Sequence, residues 1–404
     1  MRSTEFKRVL AAEVVSNFGS MLSRLAIPWL AALALAATPL DMGYLLVADV
    51  LAGTVGSLLL GAIVDRLGKR AVMLVTDVAR AVVLGALAWL AALQILSFWM
   101  LVIASALSGL LTVTFELARS AWMAQRIDSA ELTSSNSQLS VGSSLSEAAA
   151  FALGGWLYQW LGAALALVVD AISYLVSALC LRGVSEIKPE AVNAKRQPKF
   201  SVRSLISEAR AGVTALWAVP ALRAIASIEL FIALGRSIGG TSYMIYVSRD
   251  LGFSTGVLGM IFALGGLGSV VGASLAPRLG RRFGMGRAMW IGLSLLAIGK
   301  MCTPLAADVS LLAIALLIAS QIIGDGGHTI HDVHDRTLRQ TAVSGDLVAR
   351  VDGGIRTVAQ VATLLGAIGG GALATLIGTR YALAVSAALV AVAAVIAWGR
   401  LVRR

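Results

Sequence analysis

Six ionisable side chains lie deep inside long apolar stretches of this sequence, where a charge is costly. They are Arg24, Asp49, Asp170, Glu229, Arg236 and Asp325. At the centre of a lipid bilayer a charge costs about 3 kcal/mol on insertion scales, so such residues are functional candidates by default. Their chemistry suits proton or substrate coupling. An enzyme is not predicted, because the sequence has no Ser-His-Asp, zinc-hydrolase or nucleotide-binding G-x-x-x-x-G-K-[ST] motif.

All three histidines of the chain follow Asp325 within one short segment. His328, His331, Asp332 and Asp335 share a helix face, because their spacing is i, i+3, i+4 and i+7. Three interpretations fit this pattern. It is a solvated helix end, a proton relay through Asp325 and His328, or a metal site for zinc, iron or nickel. The ligand set is too incomplete to predict a resident metal.

Other deep charges fall into pairs. Arg24 and Asp49 lie at similar depth in neighbouring apolar stretches, which predicts either a buried ion pair or a coupling role. Glu229 and Arg236 are seven residues apart, so they face one side of a helix two turns apart. Asp170 is either a polar packing residue or a functional acid.

The composition places these residues in a membrane. Hydrophobic residues make up 58% of the 404 positions, charged residues only 14%, and the mean hydropathy is +0.85. Soluble domains carry about 25% charged residues. The net charge of +11 does not indicate a nucleic-acid partner, because the basic residues stand between apolar stretches and orient the chain. Cys180 and Cys302 indicate neither a disulfide framework nor a zinc site.

Apolar stretches of about 20 residues follow one another, and this is the length of a membrane-spanning helix. The twelve predicted spans are 9–35, 41–63, 71–93, 97–121, 138–160, 162–183, 221–247, 254–276, 287–306, 309–333, 352–376 and 379–400. The first is predicted to be a span rather than a cleaved signal peptide, because Glu13, Asn17 and Arg24 interrupt it. The predicted fold class is an all-α membrane protein with twelve transmembrane helices.

The spans form two sets of six around one polar connection. We predict an N-terminal six-helix bundle over 1–183, a cytoplasmic connection over 184–220 and a C-terminal six-helix bundle over 221–404. Residues 201–217 carry apolar side chains at helical spacing. This predicts an amphipathic helix on the membrane surface, with a disordered linker as the alternative.

The basic residues predict the orientation. All Lys and Arg residues fall on one side of the predicted spans except Arg24, Arg236, Arg249, Lys300 and Arg380. Cytoplasmic loops carry the excess of Lys and Arg. Both termini are therefore predicted to be cytoplasmic, in a multi-pass protein of a bacterial-type inner (plasma) membrane.

The second half of the chain echoes the first at an offset of 212 residues. Gly68-Lys69-Arg70 corresponds to Gly280-Arg281-Arg282, and Arg24 in span one corresponds to Arg236 in span seven. Parallel repeats of this kind are typical of secondary transporters whose halves move around a central site.

The loop between spans two and three contains a compact motif. It reads Gly61-Ala-Ile-Val-Asp65-Arg66-Leu-Gly68-Lys69-Arg70. A glycine allows close helix approach, the acid can cap the next helix or pair with a basic residue, and the basic pair holds the loop at the cytoplasmic face. The motif resembles the signature loop of the major facilitator superfamily, G-x-x-x-D-R-x-G-[RK]-[RK]. The resemblance implies two six-helix bundles and a gating role for Asp65, Arg66 and Arg70.

A narrower resemblance covers almost the whole chain and is to the enterobactin-exporter and macrolide-efflux branch. The similar residues are Ser16-Asn17-Phe18-Gly19-Ser20, Ala26-Ile27-Pro28, Asp77-x-x-Arg80, Asp170-Ala-Ile-Ser-Tyr174, Leu338-Arg339-Gln340 and Arg350-Val351-Asp352-Gly353. Members of that branch export amphipathic molecules such as siderophores and macrolides. The second half departs from the pattern, because Pro277 stands where Asp65 stands in the first.

These features together predict a proton-coupled secondary exporter of small amphipathic molecules that works by alternating access. We expect a small-molecule substrate, protons as the coupling ion, a monomer in the lipid bilayer and no cofactor. Two alternatives from other classes stay open. One is a metal-ion permease that uses the histidine segment, and the other is a non-transporting membrane sensor or assembly protein on the same fold.

The orientation can be tested with single cysteines at Ser201 and Asp308 in a variant lacking Cys180 and Cys302. On intact cells, an impermeant maleimide should label the cysteine at 308 and not the one at 201, because 201 lies in the predicted cytoplasmic connection. Labelling at 201 but not at 308 would reverse the assignment.

Overall fold

The structure is a computed structural model, and it describes residues 2–186, 219–342 and 345–402. This part of the chain is helical and contains no strand. The helices are α1 (Arg2–Trp29), α2 (Pro39–Arg66), α3 (Lys69–Ala92), α4 (Phe98–Arg126), α5 (Ser129–Leu181), α6 (Pro220–Ile245), α7 (Thr255–Phe283), α8 (Met285–Leu305), α9 (Leu311–Ala342), α10 (Gly345–Ile377) and α11 (Thr379–Ala397). The predicted amphipathic helix over 201–217 lies outside the described residues.

The helices have the length and surface of membrane spans. In the described ranges, nine are long and apolar enough to cross a membrane, namely all except α1 and α6. Their outer surface is apolar, since Trp160, Leu311 and Leu376 expose 71%, 86% and 82% of their area. Lipid, unlike water, stabilises such a surface. The predicted all-α membrane fold is confirmed.

Helix α5 contains two of the predicted spans. Its 53 residues are interrupted at Gly162, whose φ of 76° and ψ of 172° lie outside the helical region. Only glycine adopts this conformation without steric cost. The interruption falls between predicted spans five and six, so eleven described helices accommodate the twelve predicted spans, and the number of crossings stays a prediction.

The chain divides into two compact units. The first contains α1, α2 from Ala48, α3, α4, α5 and residues 254–260, and the second contains residues 37–47, α6, α7 from Ile261 and α8–α11. In the first unit α1 packs on α5, and α3 packs on α4 and α5. In the second, α6 packs on α10 and α11, and α8 packs on α9 and α11. With the two arms of α5 taken as separate spans, the two packing patterns correspond.

Each unit has an apolar core near one end of its helices. In the first unit Val9, Met73, Phe115, Trp122 and Leu181 form a buried cluster that joins α1, α3, α4 and α5. In the second unit a buried cluster joins α6, α8 and α10 through Leu222, Ile225, Met289, Val351 and Ile355. These cores hold the helix ends from which the loops and polar side chains project.

Helix α9 approaches its neighbours unusually closely, and glycines make this possible. Gly324 lies against Gly299 and Gly327 against Gly292, so α9 meets α8 backbone to backbone. On its other side Gly326 lies against Gly272 of α7. Small residues at helix crossings permit this approach in membranes. The three glycines that flank Asp325, Gly324, Gly326 and Gly327, therefore serve helix packing.

The crossing of α8 and α9 can be tested with Gly327→Ala. A Cβ there would lie 2.6 Å from the Gly292 carbonyl oxygen and 2.7 Å from the Leu296 nitrogen, both backbone atoms that cannot move freely. We expect a loss of about 1–3 kcal/mol, measured as a lower apparent melting temperature of the detergent-solubilised protein. Gly266→Ala is the matched control, because its Cβ would meet nothing within 4 Å. Equal melting temperatures for the two variants would contradict the packing.

Candidate functional site

The second unit presents a polar helix pair. On α6, Glu229, Arg236 and Tyr243 lie at seven-residue intervals and therefore on one face. This face meets α9, because the Gln321 amide donates a hydrogen bond to the Tyr243 hydroxyl at 3.3 Å. The ring of Tyr243 also packs on Phe262 of α7, with 5.7 Å between ring centroids. The structure thus places Glu229 and Arg236 on one face, as the spacing predicts.

Asp325 lies one turn of α9 beyond Gln321. Its carboxylate packs over the bare backbone of Gly265 on α7. The cations that act on it are Lys300 of α8 and Arg236 of α6. Lys300 is positioned by the helix crossing, since it follows Gly299 directly. Among the described residues no ion pair or hydrogen bond holds the Asp325 side chain, so its carboxyl group is not committed to a structural partner.

The histidine segment continues from Asp325 toward the end of α9. His331, His334 and Asp335 are only 3%, 5% and 4% exposed, whereas His328 is half-buried. His334 Nδ1 lies 2.8 Å from the Ile330 carbonyl oxygen, which fixes Nδ1 as the protonated nitrogen. The interpretation of this segment as a solvated helix end is therefore wrong for these three residues, because α7 and α8 cover them.

Arg339 connects this segment to α10. Its guanidinium forms ion pairs with Asp335 at 2.6 Å and with Asp352 at 3.1 Å. Two of the sequence segments that carry the branch resemblance, around Arg339 and Asp352, therefore meet in space. The contact joins the ends of α9 and α10, and one cation bridges two carboxylates.

The described residues contain no group of three or more His, Cys, Asp or Glu that is placed to hold a metal ion. His328 and His331 each have a buried Nδ1 without a hydrogen-bond partner there, but no carboxylate or cysteine joins them in a ligand set. In the described part of the chain, the histidines share a face without forming a metal site.

In the first unit a charge pair is fully buried between helices. Arg80 and Asp77 form an ion pair on α3 and are 2% and 0% exposed. Asp77 also accepts a hydrogen bond from the Ser177 hydroxyl at 2.6 Å. The Arg80 guanidinium lies over the rings of Phe115 and Tyr174, 4.9 and 4.2 Å from their centroids. These contacts hold α3, α4 and α5 together and neutralise both charges.

Asp170 lies in the same unit and is fully buried. Its Oδ1 accepts a hydrogen bond from the Ser173 hydroxyl at 3.2 Å. The bare backbone of Gly19 on α1 packs directly on Asp170 and Ser173. This environment is a tight contact between α1 and α5 and agrees with the interpretation of Asp170 as a polar packing residue.

Arg24 and Asp49 are both exposed. Asp49 of α2 points toward Gly109 of α4, where a Cβ would lie 3.2 Å from Oδ1. No ion pair joins Arg24 to Asp49 in the part of the chain that is described. The two charges are therefore available to solvent in this conformation, and the interpretation as a buried ion pair does not fit it.

The motif loop between α2 and α3 is held at both helix ends. Lys69 is buried and donates to the carbonyl oxygens of Val64, at 2.6 Å, and Leu67, at 3.3 Å, which end α2. The Glu186 carboxylate accepts hydrogen bonds from the backbone amides of Arg70, at 3.1 Å, and Ala71, at 2.9 Å, which begin α3. A cation at a helix C-terminus and an anion at an N-terminus both match the helix dipole.

Other members of the motif are distributed around this arrangement. Arg70 donates to the carbonyl oxygens of Leu181 and Arg182 at 3.1 and 2.7 Å, and so ties the loop to the end of α5. Gly68 precedes α3 as its N-cap, and Arg66 is exposed at the end of α2. Gly61 and Asp65 lie in α2, and the structure does not describe the surroundings of the Asp65 side chain.

The segment after α5 is fixed to α1 and α4 as well. Glu5 accepts hydrogen bonds from the Ser185 hydroxyl and amide and pairs with Arg126 at 3.0 Å. The Ser185 hydroxyl, helped by Arg126, holds the pKa of Glu5 below its usual value. A lowered pKa means that this contact stabilises the fold above the ordinary pKa of glutamate and is lost as the pH falls through the folded-state value.

Sequence reasoning missed two residues that the structure places at these sites. Lys300 was counted only as a basic residue, although a lone lysine inside an apolar stretch was a usable signal. Glu186 gave no local signal, because its partners Arg70 and Ala71 are more than a hundred residues away.

The fold and these sites define a multi-pass helical membrane protein with two similar units and charges between its spans. The chain matches the family model "Major Facilitator Superfamily" over residues 9–331. It is 24% identical over 386 residues to "Uncharacterized MFS-type transporter YfiS" of Bacillus subtilis (strain 168), covering 94% of this chain and 89% of that protein.

Solved structures resemble the fold over its whole length. The nucleoside transporter NupG has a TM-score of 0.76 at 15% identity and covers 99% of both chains. A bacterial homologue of the iron transporter ferroportin, in an inward-facing state, has a TM-score of 0.74 at 17% identity over 98% of both chains. At these identities the likeness concerns the fold alone.

The chain belongs to the major facilitator superfamily. The family evidence points to a transporter of small molecules and not to an enzyme. The enterobactin-exporter and macrolide-efflux branch stays a prediction.

The cap on α3 can be tested with Glu186→Gln. Removing the charge from a helix N-cap costs about 1 kcal/mol, so the amides of Arg70 and Ala71 should exchange with deuterium about five-fold faster. Hydrogen–deuterium exchange mass spectrometry of the 67–75 region measures this. Glu131→Gln is the control, since Glu131 is an exposed acid in the first turn of α5. An unchanged exchange rate in the Glu186 variant would show that Glu186 does not stabilise the start of α3.

Proposed function

We propose that the chain is a proton-coupled exporter of small amphipathic molecules that works by alternating access. The family membership supports secondary transport, and the sequence segments shared with the enterobactin-exporter and macrolide-efflux branch support export. In this proposal the two bundles, 1–183 and 221–404, rock around a site near the membrane midplane. The distribution of Lys and Arg supports both termini in the cytoplasm and an inner-membrane location. We expect the protein to act as a monomer.

One observation carries the proton coupling, namely the environment of Asp325. The carboxyl group is half-buried over Gly265, with the charges of Lys300 and Arg236 acting on it. The acids Asp77, Asp335 and Glu13 all have an arginine partner, but no described residue forms an ion pair with Asp325. A carboxyl group without a structural partner can exchange a proton without breaking the fold.

The two cations give this acid a way to release its proton. In the proposed cycle Asp325 takes up a proton in one orientation of the carrier. A rearrangement that brings Lys300 or Arg236 closer favours the carboxylate and expels the proton in the other orientation. Asp49 is the second candidate carrier, since it is an exposed intramembrane acid without an arginine partner among the described residues. Glu229, Arg24, Asp170 and His328 are further candidates for coupling.

The motif loop is proposed to act as the cytoplasmic gate through Asp65, Arg66 and Arg70. The hydrogen bonds of Lys69 and Glu186 at the adjoining helix ends support this role, because they give the loop a fixed position from which a gate can close. No specific observation favours the metal-ion permease, since the described residues contain no group placed to hold a metal ion.

The proposal can be tested with Asp325→Asn, which removes the proton site and nearly preserves size. A screen of deletion and overexpression strains against antibiotics, dyes, siderophores and metal ions first supplies a transported compound. In everted vesicles the variant should lose proton-driven accumulation of that compound, by at least ten-fold, but retain counterflow, because exchange of bound substrate needs no net proton movement.

Asp308→Asn is the matched control, since Asp308 is an exposed acid next to α9 that accepts a hydrogen bond from the Ser310 hydroxyl. If Asp325→Asn accumulates the compound with the normal pH dependence, Asp325 is not the carrier and Asp49→Asn becomes the next variant. If no strain changes its resistance to any compound of the screen, the exporter proposal itself fails.

A further inference from the structure

We propose that the loop joining α7 and α8 binds the phosphate groups of anionic membrane lipids. By this loop we mean residues 278–287, the turn at Gly284 with the adjoining ends of α7 and α8, and it carries four exposed arginines, Arg278, Arg281, Arg282 and Arg287. The sequence contains no Asp or Glu between residues 251 and 307. Four positive charges therefore accumulate at one end of two helices without an acid in either of them.

Within the described residues, tertiary contacts do not compensate these charges. Arg119, Arg126, Arg336 and Arg339 each form an ion pair with a carboxylate. None of the four loop arginines forms an ion pair with another described residue. The contacts found are those of Arg278 with the Ser274 carbonyl oxygen at 2.9 Å and of Arg282 with the Phe283 ring.

The internal repeat allows the basic residues of the α7–α8 loop to be compared with those of the α2–α3 loop. In the corresponding α2–α3 loop, Lys69 and Arg70 are occupied by backbone carbonyl oxygens, and Glu186 supplies a negative charge at the start of α3. At the α7–α8 loop Pro277 replaces the acid of the motif, and Arg281 and Arg282 extend into solvent. The first loop obtains its negative charge from the protein. No described residue supplies a negative charge to the second loop, so an anion from outside the protein can take this place.

The position of the loop favours a lipid headgroup as the source of the negative charge. Helix α7 has 29 residues, or about 43 Å at 1.5 Å per residue, whereas the hydrocarbon core is about 30 Å thick. The last turns of α7 therefore stand at the headgroup level. Phe283 and Met285, 38% and 37% exposed, lie between the arginines and can contact acyl chains.

An aromatic pair marks the same level. Trp290, in the second turn of α8, stacks on Trp398 at the end of α11, with 4.7 Å between ring centroids. Indole rings concentrate at the membrane–water interface. Arginine binds phosphate in a forked geometry with two parallel hydrogen bonds, and each basic residue near an anionic leaflet favours binding about five-fold. An anionic phospholipid can thus pair its phosphate with the arginines at the headgroup level and contact the apolar side chains of the loop with its acyl chains.

The test is native mass spectrometry of the detergent-solubilised full chain titrated with phosphatidylglycerol, phosphatidylcholine or inorganic phosphate. Arg281→Gln with Arg282→Gln should weaken phosphatidylglycerol binding about 30-fold and leave phosphatidylcholine binding unchanged. Arg281→Lys with Arg282→Lys, which keeps both charges, should stay within about five-fold of the unmodified chain. Arg336→Gln is the control for loss of an exposed arginine that has a protein partner.

Three results would overturn the proposal. One is equal phosphatidylglycerol binding by the double glutamine variant and the unmodified chain. Another is competition by inorganic phosphate at the same concentration as the lipid, which would indicate a site for free anions. The third is an acidic protein that co-purifies with the unmodified chain and not with the double glutamine variant, at unchanged lipid affinity. None of these measurements depends on the transported compound, so they stand apart from the test of proton-coupled export.

Discussion

The close approach of α9 to α7 and α8 is the constraint on which the polar site of the second unit depends. Backbone contacts at Gly324 and Gly327 fix the rotation of α9 about its axis. A helix held in this way presents Gln321, Asp325 and His328 in a defined direction, since they lie at i, i+4 and i+7. The same crossing places Lys300 beside the acid. The glycines near Asp325 thus act on the chemistry by fixing geometry rather than by providing space.

The sequence predicted features that depend on neighbouring residues better than contacts between residues far apart in the chain. Hydrophobic stretches predicted the helices, and spacing predicted the shared face of Glu229 and Arg236, because both depend on residues near in sequence. The break at Gly162 also fell where a boundary between spans was predicted. The Glu186 cap and the Arg339–Asp352 ion pair could not be predicted, because the chain path between their partners decides them.

The burial of individual polar side chains was the other feature that the sequence did not predict. Asp77 and Asp170 stand in similar sequence surroundings, yet Asp77 forms an ion pair with Arg80 and Asp170 bonds to a serine. Both acids are buried, but only Asp77 has an arginine at i+3 on its own helix, so the sequence indicates this partner and not the burial of either acid. The spacing of the histidines likewise did not show that His331 and His334 are buried.

Some charged residues inside the helices have an ion-pair partner and others do not, and this difference separates structural charges from candidates for proton coupling. In the first unit Arg80, Arg119 and Arg126 are each neutralised by a carboxylate, so they stabilise helix contacts and cannot change partner cheaply. In the second unit Asp325 and Lys300 lie near each other without forming an ion pair. An intramembrane charge without a partner costs stability in every molecule, so it persists only where a change of protonation or of ligand is needed. This argument supports the proposal that coupling involves the α6–α9 face rather than the larger buried network around Arg80.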